Sequence, residues 1–153
     1  MGYIPFYEIC SNIEDGGTMA LNVKSEDNEF GLPMDKYIFY ELYCNECDCH
    51  RVMFYVMCSK MKVPVAVICW GWKSRNFYKK LYKNVSKEVM DEIKGPALDS
   101  LNPQSVLAPR ILKMFKEILM TDPNYTEEIK THFKMFKKNL KKKKSLENNS
   151  AVG

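Results

Sequence analysis

From Tyr3 to Trp70 the apolar residues alternate with polar ones or run together, and from Ser74 to Leu140 they recur every third or fourth position. Side chains repeat every two residues along a strand and every 3.6 along a helix, so the pattern predicts a strand-rich front and a helix-rich back. Tyr3 to Cys10 reads as an edge strand, with Pro5 near its start. Asp15-Gly16-Gly17 is a turn signal, and Thr18 to Val23 reads as the returning partner of a hairpin. Lys36 to Tyr43 is the strongest strand, with Tyr37, Phe39, Glu41 and Tyr43 on one face and Ile38, Tyr40 and Leu42 on the other. Arg51 to Cys58 is apolar on both faces, and the continuous run Val63 to Trp70 predicts a strand buried on both sides.

In the back half, Ser74 to Lys83 fits a short helix. Ser86 is a natural N-cap for a helix over Lys87 to Lys94, which Gly95-Pro96 stops. Asn102-Pro103 offers another start signal, and Val106, Leu107, Ile111, Met114, Phe115, Ile118 and Leu119 keep the helical period. Pro109 moves the expected start of that helix to the neighbourhood of Ala108. Asp122-Pro123 opens the last helix, which carries Tyr125, Ile129, His132, Phe133, Phe136 and Leu140 on one stripe. That helix is expected to dissolve at Lys141 to Lys144. The reading is α+β: a mostly antiparallel sheet from the N-terminal half packed by three to four C-terminal helices, one domain over residues 1–144 with a disordered tail over 145–153.

Composition narrows the classes. At 153 residues, with 46% hydrophobic and 27% charged residues, the chain is long and apolar enough for a real core. Its longest apolar run is far short of the roughly 20 residues a membrane span needs. The first residues lack the basic and apolar regions of a secretory signal. The expectation is a cytoplasmic protein with no membrane association, where six cysteines are ligands or buried thiols rather than a disulfide framework.

Charge is polarised along the chain. Residues 1–50 carry ten acids against two bases, residues 51–109 ten bases against four acids, and residues 110–144 eleven bases against four acids. Such polarity marks either a nucleic-acid face or two halves of one domain attracting each other.

Three of the six cysteines and one of the two histidines fall within Cys44-Asn45-Glu46-Cys47-Asp48-Cys49-His50. Cys44-x2-Cys47 is a spacing at which a turn points two thiolates at one ion, and Cys49 adds a third. Zinc is the expected metal, and Cys44, Cys47 and Cys49 are the expected ligands. In an extended chain Cys49 and His50 face apart, so His50 can join only if the backbone bends. The fourth ligand is read as His132, with His50 the alternative; a ligand from the last helix would clamp helix to sheet. Cys10 and Cys58 sit in apolar strands and read as core.

Tyr43-Cys44-x2-Cys47-Asp48-Cys49 between two strands, followed by Leu101-Asn102-Pro103-Gln104-Ser105 and by His132-Phe133-x-x-Phe136, resembles a group of small uncharacterised bacterial Cys-x2-Cys-x-Cys proteins over roughly residues 37–137. The resemblance implies no activity. The cluster is also loosely similar to the SEC-C zinc motif, which pairs Cys-x-Cys with a later Cys-His or Cys-Cys. The pattern here is compressed, and the motif's ligands are not carried over.

Catalytic signals are thin, with no nucleophile elbow, no His-Glu-x-x-His and no phosphate-binding loop. A sulfur-rich set marks a closed structural site more than a hydrolytic one. The expected role is a non-catalytic zinc-binding domain that contacts a macromolecule, either protein or single-stranded nucleic acid. Trp70 to Lys80 interleaves aromatics with Lys73, Arg75, Lys79 and Lys80, the pattern that stacks bases and pairs phosphates, and equally that of an amphipathic helix beside a sheet. The remaining alternative is a metal-dependent hydrolase with Glu46 or Asp48 as base.

Overall fold

A computed structural model describes residues 2–11 and 16–152, with the side chains of 150–152 excepted. The fold is α+β: among the described residues there are an antiparallel sheet of six strands and five α-helices. Its spine is β3 (Asp35–Cys44), which pairs with β4 (Arg51–Met57), which in turn pairs with β5 (Ala66–Gly71). Strict alternation fixes the register. Phe39 lies opposite Val56, and Phe54 lies between Glu41 and Ile68, so one face collects the large apolar side chains.

The outer edge of β3 is covered by two short strands laid end to end. β1 (Tyr3–Pro5) pairs with Leu42 to Cys44, and β2 (Thr18–Val23) pairs with Asp35 to Tyr40. The strand expected from Tyr3 to Cys10 therefore stops at Pro5. The chain leaves the sheet as α1 (Phe6–Ile9), driving Phe6 and Cys10 into the core, where both are fully buried. It rejoins at Gly17, whose carbonyl accepts from the Glu41 amide at 2.9 Å. Gly17 has φ +69°, and a Cβ there would stand 2.6 Å from the Phe6 ring, so both backbone and packing require glycine. Of the expected turn, Gly16 also has positive φ, and Asp15 lies outside the described residues. β2 is thus a partner of β3, not of β1.

The core face is roofed by α4 (Ala108–Met114), a π-helical turn over Phe115–Leu119, and α5 (Pro123–Val152). Ile111, Met114, Phe115 and Leu119 from the first two, and Tyr125, Ile129, Phe133 and Phe136 from α5, are buried in one cluster with Tyr37, Phe39, Tyr43, Phe54 and Ile68 of the sheet. Burying such side chains contributes roughly 1.5–3 kcal/mol each. α5 continues past Lys144, where the sequence reading expected a disordered tail; no glycine or proline interrupts it, yet every described side chain beyond Leu140 is exposed.

The other face carries α2 (Arg75–Leu81) and α3 (Lys87–Lys94), capped by Ser74 and Ser86 as their sequences predict. They sit over the end of the sheet nearest Arg51 and Cys69. β6 (Ala97–Leu98) adds two residues beside β5. Beyond it Asn102-Pro103 does not start a helix. The Gln104 side-chain amide instead bonds both the Val67 N–H and C=O at 2.9 Å, and Ser105 bonds the Val65 carbonyl, so side chains finish the edge that β6 leaves open.

Candidate metal centre

β3 ends at Cys44 and β4 begins at Arg51, so the cysteine cluster is the connection of a hairpin. Strand alternation places Cys44 on the same side as Leu42, away from the long helices. After it the chain coils tightly: the Cys47 amide donates to Cys44 Sγ at 3.3 Å, and the Cys47 and Cys44 sulfurs lie 2.7 Å apart. Cys49 completes the group. All three sulfurs fall within 4.8 Å of one another, with Cys44 and Cys49 buried and Cys47 partly exposed. Two zinc–thiolate bonds of about 2.3 Å span at most about 4.6 Å, so the donor set suits a single thiophilic ion.

The turn is held from outside by its carbonyls. Lys137 of α5 donates to the Cys44 carbonyl at 2.8 Å and also to that of Cys47, and Lys144 reaches the Asn45 carbonyl at 3.3 Å. The Tyr78 hydroxyl donates to the His50 carbonyl at 2.8 Å. It gets there by passing over Gly71, where any Cβ would collide with it. Asn45 in turn donates to the Gly2 carbonyl. The backbone that carries the sulfurs is therefore held by contacts from three separate segments, before any ion is considered.

Electrostatics distinguish the thiols. Burial pushes Cys44 up, but hydrogen bonds from the Cys47 thiol and the Glu46 and Cys47 amides, with Lys137 nearby, bring it below the ordinary thiol value. Cys47 is raised, first by burial and then by its bonds to Cys44 and Cys49. Behind the cluster lies Arg51, whose guanidinium donates to the Ile93 carbonyl at 2.8 Å and to the Tyr3 hydroxyl at 3.1 Å. Burial opposes its charge, but Tyr3, Cys69, Tyr82 and Cys49 around it hold it protonated. A divalent ion held by three thiolates would carry one net negative charge, and Arg51 is a permanent cation close enough to interact with Cys49. The sequence signal for Arg51 was a lone base opening an otherwise apolar strand.

The structure brings Cys44, Cys47 and Cys49 together and brings neither histidine to them. His132 lies on α5 in the core, with Nδ1 2.9 Å from Glu41 Oε1 and Nε2 3.7 Å from Glu128 Oε1, and its ring stacks on Phe6 at 4.4 Å. The Tyr43 hydroxyl donates to the same Glu41 oxygen at 2.5 Å. The expected clamp between helix and sheet does exist at His132, but a carboxylate makes it rather than a metal. For His50 the backbone does bend, at φ +51°. Its ring nevertheless turns away, with Nε2 3.3 Å from Asp48 and the ring packed against Trp72, Phe77 and Phe133. Burial lowers the His50 pKa, opposed by Asp48 and aided by Lys73 and Lys137.

The four basic residues read as a nucleic-acid surface are divided. Lys73 lines one cavity with His50, and Arg75 and Lys79 line another with Tyr82 and Lys87, while Lys80 lines neither. Arg75 is paired with Asp91 at 2.8 Å. The aromatic partners of the run are partly core, since Tyr78 is fully buried. No helix among the described residues is long and apolar enough to cross a membrane. No protein-family model, no curated protein and no solved structure matches the chain.

Proposed function

We propose that this chain is a zinc-binding α+β domain in which the metal is structural, held by Cys44, Cys47 and Cys49 at the β3–β4 turn, and that the domain serves in macromolecular interaction rather than catalysis. The observation that carries the reading is the convergence of three sulfurs within 4.8 Å on a turn whose carbonyls are already fixed from α5 and α2. Thiolate-rich donor sets select zinc among the common cellular divalent ions, and thiolate charge makes such an ion a weak Lewis acid. The two acids beside the cluster supply no positioned base: Asp48 is 82% exposed and faces His50, and Glu46 is exposed. Because both histidines are engaged elsewhere, the fourth ligand that closes the site is assigned to a donor from a bound partner.

Metal analysis of the purified chain tests this. About one zinc per chain is expected, with the three clustered thiols protected from alkylation and Cys10, Cys58 and Cys69 unaffected by metal removal. Cys44→Ser and Cys47→Ser should each lose the metal, whereas His132→Ala and His50→Ala should each retain it. Less than about one zinc per three chains, with all thiols reacting freely, defeats the proposal.

A further inference from the structure

Beside the cysteine turn, on the side facing α5, lies an open cavity of 340 Å³. That is at the small end of the ~300–1,000 Å³ typical of ligand sites, room for one base with its sugar-phosphate at the open rim. His50, Trp72 and Phe133 form its aromatic wall. Trp72 stands edge-on to both other rings, at 5.9 Å from His50 and 5.2 Å from Phe133, and His50 leans on Phe133 at 4.9 Å. The three rings pack on one another, so the wall is formed without a ligand.

The rim is cationic. Lys73, Lys130 and Lys134 come from two different segments, the β5–α2 connection and α5. Lys130 is matched by Glu127 at 3.1 Å, and Asp48 is matched to His50. Lys73 and Lys134 have no carboxylate within ion-pair distance among the described residues; Lys73 instead stands over the Phe77 ring at 6.0 Å. The positive field extends beyond the rim. Lys94 is held below its ordinary pKa, by burial first and then by Arg75 and Lys130. Cations gathered this way repel one another until an anion arrives.

We infer that this cavity binds a nucleoside phosphate, free or as one unit of a single strand, with the base against the half-buried rings of Trp72 and His50, in front of the buried Phe133, and the phosphate between Lys73 and Lys134. A ring system beside unpaired cations fits that ligand better than an acidic peptide, which would leave the aromatic wall unused; base–aromatic contact contributes about 1–3 kcal/mol per base. The inference does not rest on the metal reading: His50, which follows Cys49, lines the cavity together with Trp72, Phe133, Glu127 and the lysines, but its ring faces Asp48 and the aromatic wall rather than the sulfurs.

The test uses the full chain carrying Trp70→Phe, so that Trp72 is its one tryptophan. Its fluorescence is titrated with adenosine monophosphate and, separately, with a single-stranded oligonucleotide of about ten residues at about 50 mM salt. Saturable quenching by either supports the inference. An affinity at least about tenfold tighter for the oligonucleotide, weakening steeply with salt, assigns the strand, and equal affinities assign the free nucleotide. Lys73→Glu/Lys134→Glu should weaken binding by about tenfold or more, with zinc content and circular dichroism unchanged. Three results overturn it: no saturable quenching by either ligand up to about 1 mM, an oligoglutamate binding as tightly, or the charge-reversed chain binding as well as its parent. Loss of zinc with nucleotide binding intact would defeat only the metal proposal.

Discussion

Two places tie α5 to the sheet, and they do so by opposite means. In the core, the Glu41 carboxylate joins Tyr43 and His132, two charged or polar partners buried with it, and closes on itself. At the hairpin, Lys137 and Lys144 hold backbone carbonyls while three thiols face one another. The first is satisfied by side chains the fold already supplies. The second gathers donors that satisfy each other poorly, since a thiol is a weak donor and a weak acceptor. The lesson is that a buried ionisable group marks a ligand site only when its neighbours leave it wanting one. His132, buried and unusual on its helix stripe, is provided for. The cysteines are not.

Disrupting the core knot should cost most. Glu41→Ala removes the buried carboxylate shared by His132 and the Tyr43 hydroxyl, leaving the hydroxyl the Ile129 carbonyl and His132 the more exposed Glu128. Chemical denaturation should show a loss of about 3 kcal/mol with zinc stoichiometry unchanged. A parallel loss of zinc would show that the two ties are one system. Tyr43→Phe removes the donor shared between the Glu41 carboxylate and the Ile129 carbonyl and should cost about 1.5–3 kcal/mol.

The same tyrosine separates the two regions by pH. Burial, then the Glu41 charge, raises the Tyr43 pKa well above its ordinary value of 10.0. The folded state therefore favours the neutral phenol, and that stability is present below pH 10 and lost as pH climbs above it. Zinc held by thiolates fails at the other end, because protons compete for the sulfurs as pH falls. Thermal melts across pH should show an alkaline decline that Tyr43→Phe reduces, alongside an acid-side release of zinc that it leaves alone.

At the hairpin, Lys137→Ala should lower zinc affinity by about 10-fold or somewhat more, read by competition with a chelating dye, since groups that fix ligand orientation typically carry such effects. The expected change in stability without metal is smaller than that of either core variant. Smallest of all, His50→Ala should leave zinc binding within about twofold, a change of only about 0.4 kcal/mol. A large loss there would place His50 among the ligands after all.

The parts of this arrangement legible in the sequence are those decided locally. The alternation from Lys36 to Tyr43 and the Ser86 cap with its Gly95 stop each concern neighbours within one element, and β3 and α3 follow them closely. The cysteine spacing was legible for the same reason. What escaped was long-range. Nothing near Phe6 says that it will leave the sheet for the core, and nothing near Gln104 says that its amide will imitate a strand. Glu41 and His132 are 91 residues apart. Even so, Glu41 stands among aromatics on the inward row of β3 and His132 among apolar residues on the inward stripe of α5, and each is the polar partner the other needs. The length of α5 escaped differently: lysines favour helix well enough to carry it past Leu140 without any buried contact.

The Gln104 pairing has a consequence for assembly. A sheet is a polymer of strands, and it grows wherever an edge still offers donors and acceptors. Here β6, Asp99, Gln104 and Ser105 consume the outward groups of β5 from Val65 to Cys69, so that end is chain-terminated. One side-chain amide thus does the work of a missing strand without presenting a new edge of its own. Any strand added by another molecule has to arrive at the opposite end, alongside β1 and β2, and growth of the sheet is one-sided.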